Sequence, residues 1–255
     1  MAKIKKLYGN TWVISEPGRF SPVKMYLLAG SEKAVLIDSG YGTLDLETLV
    51  RGVYGGPVTI LNTHGHLDHV GGNRFFPSYM PKEDIDLYAR HSDPEFLKGM
   101  KLHVFPRAEA HAIDFERLDL GGRVLEIIAT PGHTKGSVCV LDTANKAIFV
   151  GDTFNFISTW LGTEDSTSVT EYKSSLEKLI QIAKQYGIKD FHSGHNFGAM
   201  HMKTLQNYRH CCEIILASDK KQKWVDMGLN KGYNTRYRLS MITWQRKESQ
   251  QTRRQ

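Results

Sequence analysis

Three imidazoles and a carboxylate crowd into the segment Thr63-His64-Gly65-His66-Leu67-Asp68-His69-Val70-Gly71-Gly72. It directly follows Val58-Thr59-Ile60-Leu61, a short apolar run that reads as a buried strand. Residues two apart in an extended chain point the same way, so His64 and His66 can grip one metal ion together. Asp68 and His69 lie just beyond, where the chain is expected to turn into a helix, and can reach a second ion nearby. Gly65 leaves room beside the ions, and Gly71-Gly72 lets backbone pack closely behind them. Imidazole and carboxylate together suit zinc, with manganese and iron also compatible.

Three further segments offer ligands of the same kind. Thr130-Pro131-Gly132-His133-Thr134 is a tight turn that exposes His133, and Phe149-Val150-Gly151-Asp152-Thr153 ends an apolar strand on a carboxylate. Phe191-His192-Ser193-Gly194-His195 again ends a strand in glycine and histidine. One polar residue at a strand end is common, but several at successive strand ends describe a single site. Phe154, Phe156 and Trp160 follow Asp152 and can form an apolar substrate wall beside the metals, or simply pack in the core. Neither a Gly-x-Ser-x-Gly nucleophile elbow nor a GxGxxG loop occurs, so a serine nucleophile is not called for.

Positioning these residues requires a strand-rich frame. Strands are expected at 11–14, 25–28, 35–37, 58–61 and 85–89, with a helix over 43–53. The second half repeats the theme, with strands at 124–129, 138–141, 148–150 and 188–191. A helix should start at Ser168, where Ser168 and Glu171 have capping-box spacing, and stop at Gly187. Another should cover 200–217. Two sheets face to face between helical layers would bury both halves. Residues 1–217 thus read as the catalytic domain, 90–117 as an insertion or lid with weak periodicity, and 218–255 as a basic extension.

At 255 residues with 40% apolar content, the chain can bury a core without disulfides. Cys139, Cys211 and Cys212 read as buried thiols in a reducing compartment. The basic start has no apolar stretch after it, and no segment has the 18 or so apolar residues of a membrane span, so a cytoplasmic location is expected. The net charge of +6 is unevenly distributed: residues 218–255 hold ten Lys/Arg against three Asp/Glu, leaving the rest near neutral. The end of that tail, 250–255, is expected to be solvated, and a nucleic-acid partner is not favoured.

On these motifs the chain resembles the metallo-β-lactamase superfamily of αββα hydrolases, over roughly residues 7–217. The resemblance implies an α/β fold of two mixed β-sheets flanked by helices, and two divalent ions. One ion would take His64, His66 and His133, the other Asp68, His69 and His195, with Asp152 as the bridge. Asp38, in Leu36-Ile37-Asp38-Ser39-Gly40, matches a strand-end carboxylate that supports the metal loop. Asp152 stands where one antibiotic-degrading subclass carries a cysteine, which argues against that subclass, and His66 stands where the flavodiiron branch carries Glu, which favours hydrolysis over redox chemistry.

The expected chemistry is attack of a metal-bridging hydroxide on the carbonyl of an ester, thioester or lactone in a small-molecule substrate, with Asp68 holding the hydroxide and passing on a proton. The chain resembles the glyoxalase II-like and lactonase-like members in this. Phosphodiester cleavage using the basic tail, and a metal-bound regulatory module without turnover, are the competing readings.

Overall fold

The computed structural model describes residues 3–156, 158–196, 198–217, 224–227 and 230–245. Seven strands form a first sheet in sequence order: β1 (Lys3–Tyr8), β2 (Thr11–Glu16), β3 (Val23–Ala29), β4 (Ala34–Ile37), β5 (Val58–Leu61), β6 (Ser78–Met80) and β7 (Ala110–Ala112). The first four pair antiparallel, whereas β4 through β7 run parallel. β3 and β4 are buried at every position, as strands covered on both faces should be.

A second sheet contains β8 (Arg117–Asp119), β9 (Val124–Ala129), β10 (Val138–Asp142), β11 (Ala147–Gly151) and, beyond a β12 that belongs elsewhere (Ser158–Leu161), β13 (Asp190–Ser193). Its spatial order is β13-β11-β10-β9-β8, with β11 and β13 parallel and the other pairs antiparallel. The inner faces meet where Leu28, Val35, Ile37 and Leu61 of the first sheet pack with Leu125, Val140 and Phe149 of the second.

Helices cover the outer faces. α1 (Leu46–Arg51) lays Leu46 and Val50 against the first sheet. α2 (Leu67–Val70), α3 (Ile85–His91) and α4 (Pro94–Gly99) follow along one edge. α5 (Val169–Tyr186) and α6 (Met202–Ala217) pack Leu176, Leu179, Leu205 and Tyr208 onto the second sheet. Each fully buried Leu contributes about 1.5–3 kcal/mol, so these clusters, rather than surface ion pairs worth about 0–1 kcal/mol, set the frame. The α-β-β-α layering and the two mixed sheets match the sequence expectation. So do the ends of α5: Ser168 and Glu171 form the reciprocal capping box, and Gly187 closes the helix at φ 62°.

Three expectations change. Residues 85–89 form part of helix α3 instead of a strand. Ile85-Asp86-Leu87-Tyr88-Ala89 alternates like a strand, but five residues are too few to separate a period of 2 from 3.6, and burial of Leu87, Tyr88 and His91 follows the helical period. The stretch 90–117 is more than a loop: it contains α4, and its β7 pairs with β6 at the sheet edge. Leu97 and Phe105 from it are buried with Leu67, Val70 and Tyr88, so it packs directly on α2.

The described part of the basic extension is also ordered structure. β14 (Trp224–Met227), β15 (Asn230–Tyr237) and β16 (Ser240–Trp244) join β12 in a third sheet of order β12-β16-β15-β14. Ile242 and Trp244 enter the same apolar cluster as α5 and α6. The expectation of a solvated 250–255 lies outside the described residues. Among the described residues, no helix is long and apolar enough to cross a membrane.

Candidate metal centre

The first sheet delivers its ligand-type side chains from the end of β5. After Leu61 the chain bends at Thr63 and His64, His66 is extended (φ −71°, ψ 149°), and the four-residue helix α2 follows. His64 is thus presented from a bend, His66 from extended backbone, and Asp68 and His69 from the helical turn. From the second sheet, His133 comes from the β9–β10 turn, Asp152 follows β11, and His195 follows β13. Backbone hydrogen bonds join the loops: Val138 N–H donates to Thr63 O at 2.9 Å, and Gly194 N–H to Gly151 O at 2.9 Å.

The seven side chains converge. His66 Nδ1 lies 3.1 Å from His64 Nε2 and 2.9 Å from His133 Nε2. His195 Nε2 lies 3.1 Å from Asp152 Oδ2 and 3.5 Å from Asp68 Oδ2. His69 Nε2 is 3.6 Å from Asp152 Oδ1 and 3.8 Å from Asp68 Oδ2. Three groups, His64–His66–His133, His64–His69–Asp152 and Asp68–His69–His195, each have ligand atoms within 4.8 Å of one another, close enough to hold a metal ion.

Outer partners fix the rings. Asp38 Oδ2 is 2.8 Å from His69 Nδ1, and Asp38 Oδ1 accepts the Thr63 N–H at 2.7 Å. His133 Nδ1 donates to Trp160 O at 2.9 Å. His195 Nδ1 sits 2.6 Å from Ser21 Oγ and 2.9 Å from Pro22 O. Each contact occupies one ring nitrogen and turns the other toward the cluster, the arrangement a metal-binding imidazole needs.

The donor set fits a cation. With His133 Nδ1 donating outward, its Nε2 turns inward to 2.9 Å from His66 Nδ1, which itself lies 3.1 Å from His64 Nε2. Burial, with the neighbouring imidazoles, pushes the His64 and His66 pKa values well below the usual range, so these rings are neutral. The carboxylate side is different. Burial works against charge on His69 and His195, but Asp38, Asp68 and Asp152 outweigh it at His69 and raise it to about 10. Asp152 and Asp68 raise His195 to about 9. Burial alone would raise Asp152, yet His195 and His69 hold it well below the carboxylate range. His69 Nε2 and Asp152 Oδ1 are nevertheless buried without any hydrogen-bond partner. Orphaned atoms of that kind are costly unless a cation sits between them. Gly194 keeps the space open, because a Cβ there would fall 2.6 Å from His69 Cε1 and 2.9 Å from Asp152 Oδ1.

Of the expected substrate wall, Phe154 is a correction. It is fully buried in the core against Phe191 and Tyr208 and does not face the site. Its place after Asp152 cannot reveal this, since the chain turns inward toward α6. Phe156 is 42% exposed and half-buried Trp160 supplies its carbonyl to His133, so these two lie at the margin of the site.

Sequence reasoning missed three contributors. The buried carboxylate of Asp84 accepts from Gly65 N–H (3.0 Å), Thr134 Oγ–H (2.7 Å) and Gly136 N–H (2.8 Å), tying the His64–His69 loop to the His133 turn. His91 stacks on His66 with ring centroids 5.1 Å apart, and Ser21 reaches His195. Nothing in their local spacing signals these roles; they arise from packing between distant loops.

A two-sheet sandwich with imidazoles and carboxylates gathered at its strand ends defines the class as a metallo-hydrolase fold. A family profile described as "Metallo-beta-lactamase superfamily" matches residues 18–183, and the chain belongs to that superfamily of hydrolases. It is 31% identical over 170 residues to the atrochrysone carboxyl ACP thioesterase of Aspergillus fumigatus, covering 64% of this chain and 48% of that protein. It is 32% identical to the hydroxyacylglutathione hydrolase of Yersinia pestis, covering 67% and 61%. It is 26% identical to the human acyl-coenzyme A thioesterase MBLAC2, covering 72% and 77%. The chain therefore spans about half of the fungal relative and under two thirds of the bacterial one. Among solved structures, a metallo-beta-lactamase from Pontibacter korlensis shares the fold at a TM-score of 0.67 and 20% identity, covering 84% of this chain and 99% of that one.

Proposed function

We propose that the chain hydrolyses acyl thioesters at a pair of divalent ions, zinc foremost. His64, His66 and His133 would hold one ion, Asp68, His69 and His195 the other, and Asp152 would lie between them. The observation that carries the reading is the convergence of those ligand atoms around the orphaned His69 Nε2 and Asp152 Oδ1. The choice of thioester over lactone or phosphodiester draws support from the relatives: two are named thioesterases, and the third acts on an acylglutathione, which is joined through sulfur.

Bound divalent ions supply Lewis acidity for the substrate carbonyl and lower the pKa of coordinated water from 15.7 to about 7. The protein's own groups do the rest. Asp38, Thr63, Trp160 O, Ser21 and Pro22 O fix the imidazoles from outside. Asp68, partly open to solvent, is the group that orients the attacking water and passes its proton on. The water oxygen forms the new C–O bond, the C–S bond breaks, and the proton leaves with the thiol. The three free, buried cysteines accord with a reducing, cytoplasmic setting.

The test is metal analysis combined with a panel of acyl thioesters, lactones, p-nitrophenyl esters, nitrocefin and bis-p-nitrophenyl phosphate. Two metal equivalents per chain and thiol release from thioesters are expected. Turnover of the phosphodiester alone, or stoichiometric metal with no turnover of anything, overturns the proposal.

A further inference from the structure

A cavity of about 200 Å³ opens beside the cluster, between the β2–β3 loop and the segment that follows α4. Leu67, which stands between His66 and Asp68, forms part of its wall. Tyr41 forms another part; its hydroxyl donates to Ser21 O at 3.2 Å, and Ser21 Oγ contacts His195 Nδ1. The cavity therefore adjoins the proposed metal ligands on two sides.

Its remaining polar lining is Arg19, Thr43, Lys101 and His103, with two basic side chains among them, Arg19 and Lys101. The Arg19 guanidinium is held at the rim by Nη1, which donates to Met100 O at 2.8 Å and Lys101 O at 3.3 Å. Both acceptors are neutral carbonyls, so the positive charge stays uncompensated and the other N–H groups are available. Among the described residues, neither Arg19 nor Lys101 forms an ion pair with a carboxylate. Glu16, where β2 passes into the β2–β3 loop, is buried, and its oxygens already accept from Tyr41 N–H, Thr43 N–H and Thr43 Oγ–H. The lower wall, Leu67, Leu97 and Phe105, is apolar and suits a short aliphatic stem.

We infer that this cavity receives the thiol side of the substrate, and that the thiol carrier bears a phosphate or carboxylate that docks on Arg19 and Lys101. The inference rests on the thioester reading above and adds to it which half of the substrate the protein recognises by charge. A planar guanidinium with free N–H groups, on a cavity wall that a lysine shares, is a fitting receptor for either anion. A volume of about 200 Å³ accepts that group and its stem, not a whole nucleotide.

The experiment compares kcat/KM for one acyl group on three thiols: neutral N-acetylcysteamine, phosphate-bearing phosphopantetheine, and carboxylate-bearing glutathione. The two anionic arms tell phosphate from carboxylate recognition. The wild-type enzyme should prefer at least one anionic thioester by about tenfold or more, as charge-assisted hydrogen bonds allow. Arg19→Gln with Lys101→Gln should collapse that ratio, and Lys5→Gln with Lys6→Gln, an equal loss of two charges on β1, should preserve it. A ratio near one in the wild type, or one unmoved by the double substitution, overturns the inference. Calorimetric binding of the S-alkyl thioether of phosphopantetheine and of glutathione is measured in parallel. If no thioester turns over, the thioester reading fails, yet binding lost in the double variant still supports an anion pocket; no binding in the wild type defeats that too.

Discussion

Asp38 Oδ2 stands 2.8 Å from His69 Nδ1, while the opposite nitrogen of the same ring faces Asp152 without a hydrogen-bond partner. Whenever the ring is neutral, as a bound cation would require, the carboxylate selects the tautomer whose Nε2 lone pair points into the cluster. Asp38 itself sits at φ 61°, a conformation Asn also tolerates, so Asp38→Asn removes charge without adding backbone strain. The expected result is a metal affinity about 10- to 100-fold weaker by chelator competition, with the far-UV spectrum retained. An unchanged dissociation constant would remove Asp38 from the site.

Asp68→Asn should retain metal on the three-histidine side and lower kcat by about 10²–10⁴, the usual worth of a positioned proton-transfer group. Wild-type turnover in this variant would show that the proton travels by another route.

Gly194→Ala pushes a methyl group toward His69 Cε1 and Asp152 Oδ1, at 2.6 and 2.9 Å. The His69 ring is held by Asp38 and the Asp152 carboxylate by His195 through its other oxygen, so the cluster must open. Loss of at least one metal equivalent per chain is expected by elemental analysis. Full occupancy in the alanine protein would mean that the ions lie elsewhere.

In metal-free protein, His69 is raised to about 10 and His195 to about 9, against 6.5 for a free imidazole. Groups raised on folding contribute fully below pH 6.5, and their contribution is lost as pH climbs through 9 and 10. His64 and His66, lowered on folding, contribute above 6.5 and lose stability on acidification. Metal-free Tm should therefore peak near pH 6.5 and fall on both sides. Saturating zinc should abolish the alkaline fall, because it needs the same rings neutral. A flat metal-free profile from pH 6.5 to 9.5 contradicts this account.

Deleting residues 218–255 removes Ile242 and Trp244 from the core beneath α5 and α6. Two such side chains are worth about 3–6 kcal/mol, a large share of a typical 5–15 kcal/mol stability. The truncated chain is expected to lose cooperative thermal unfolding or to aggregate. A Tm within a degree or two of the full chain would show that the third sheet is dispensable.

Much of the site was legible because its ligand types lie at local punctuation marks. His64, His66, Asp68 and His69 follow one apolar run, while His133, Asp152 and His195 follow or flank glycine at the ends of others. The cap of α5 was equally local, with Ser168 and Glu171 three residues apart. The helix at Ile85–His91 was not, since its short apolar pattern suits either period until the burial of Tyr88 and His91 decides. Nor was the inward turn of Phe154, which depends on contact with Phe191 and Tyr208.

By itself, the order of residues determined which side chains could bind metal, the layered class of the fold, and where its long helices start and stop. These follow from periodicity, capping and chain direction, all of which act over a few neighbours. Only the tertiary structure decided that His66 meets His133, that Asp84 ties their loops, that Arg19 reaches Met100 and Lys101, and that strands beyond residue 217 complete the α6 core. Those pairings join segments far apart in the chain, and each is set by how whole sheets pack, a cooperative outcome that no local pattern encodes.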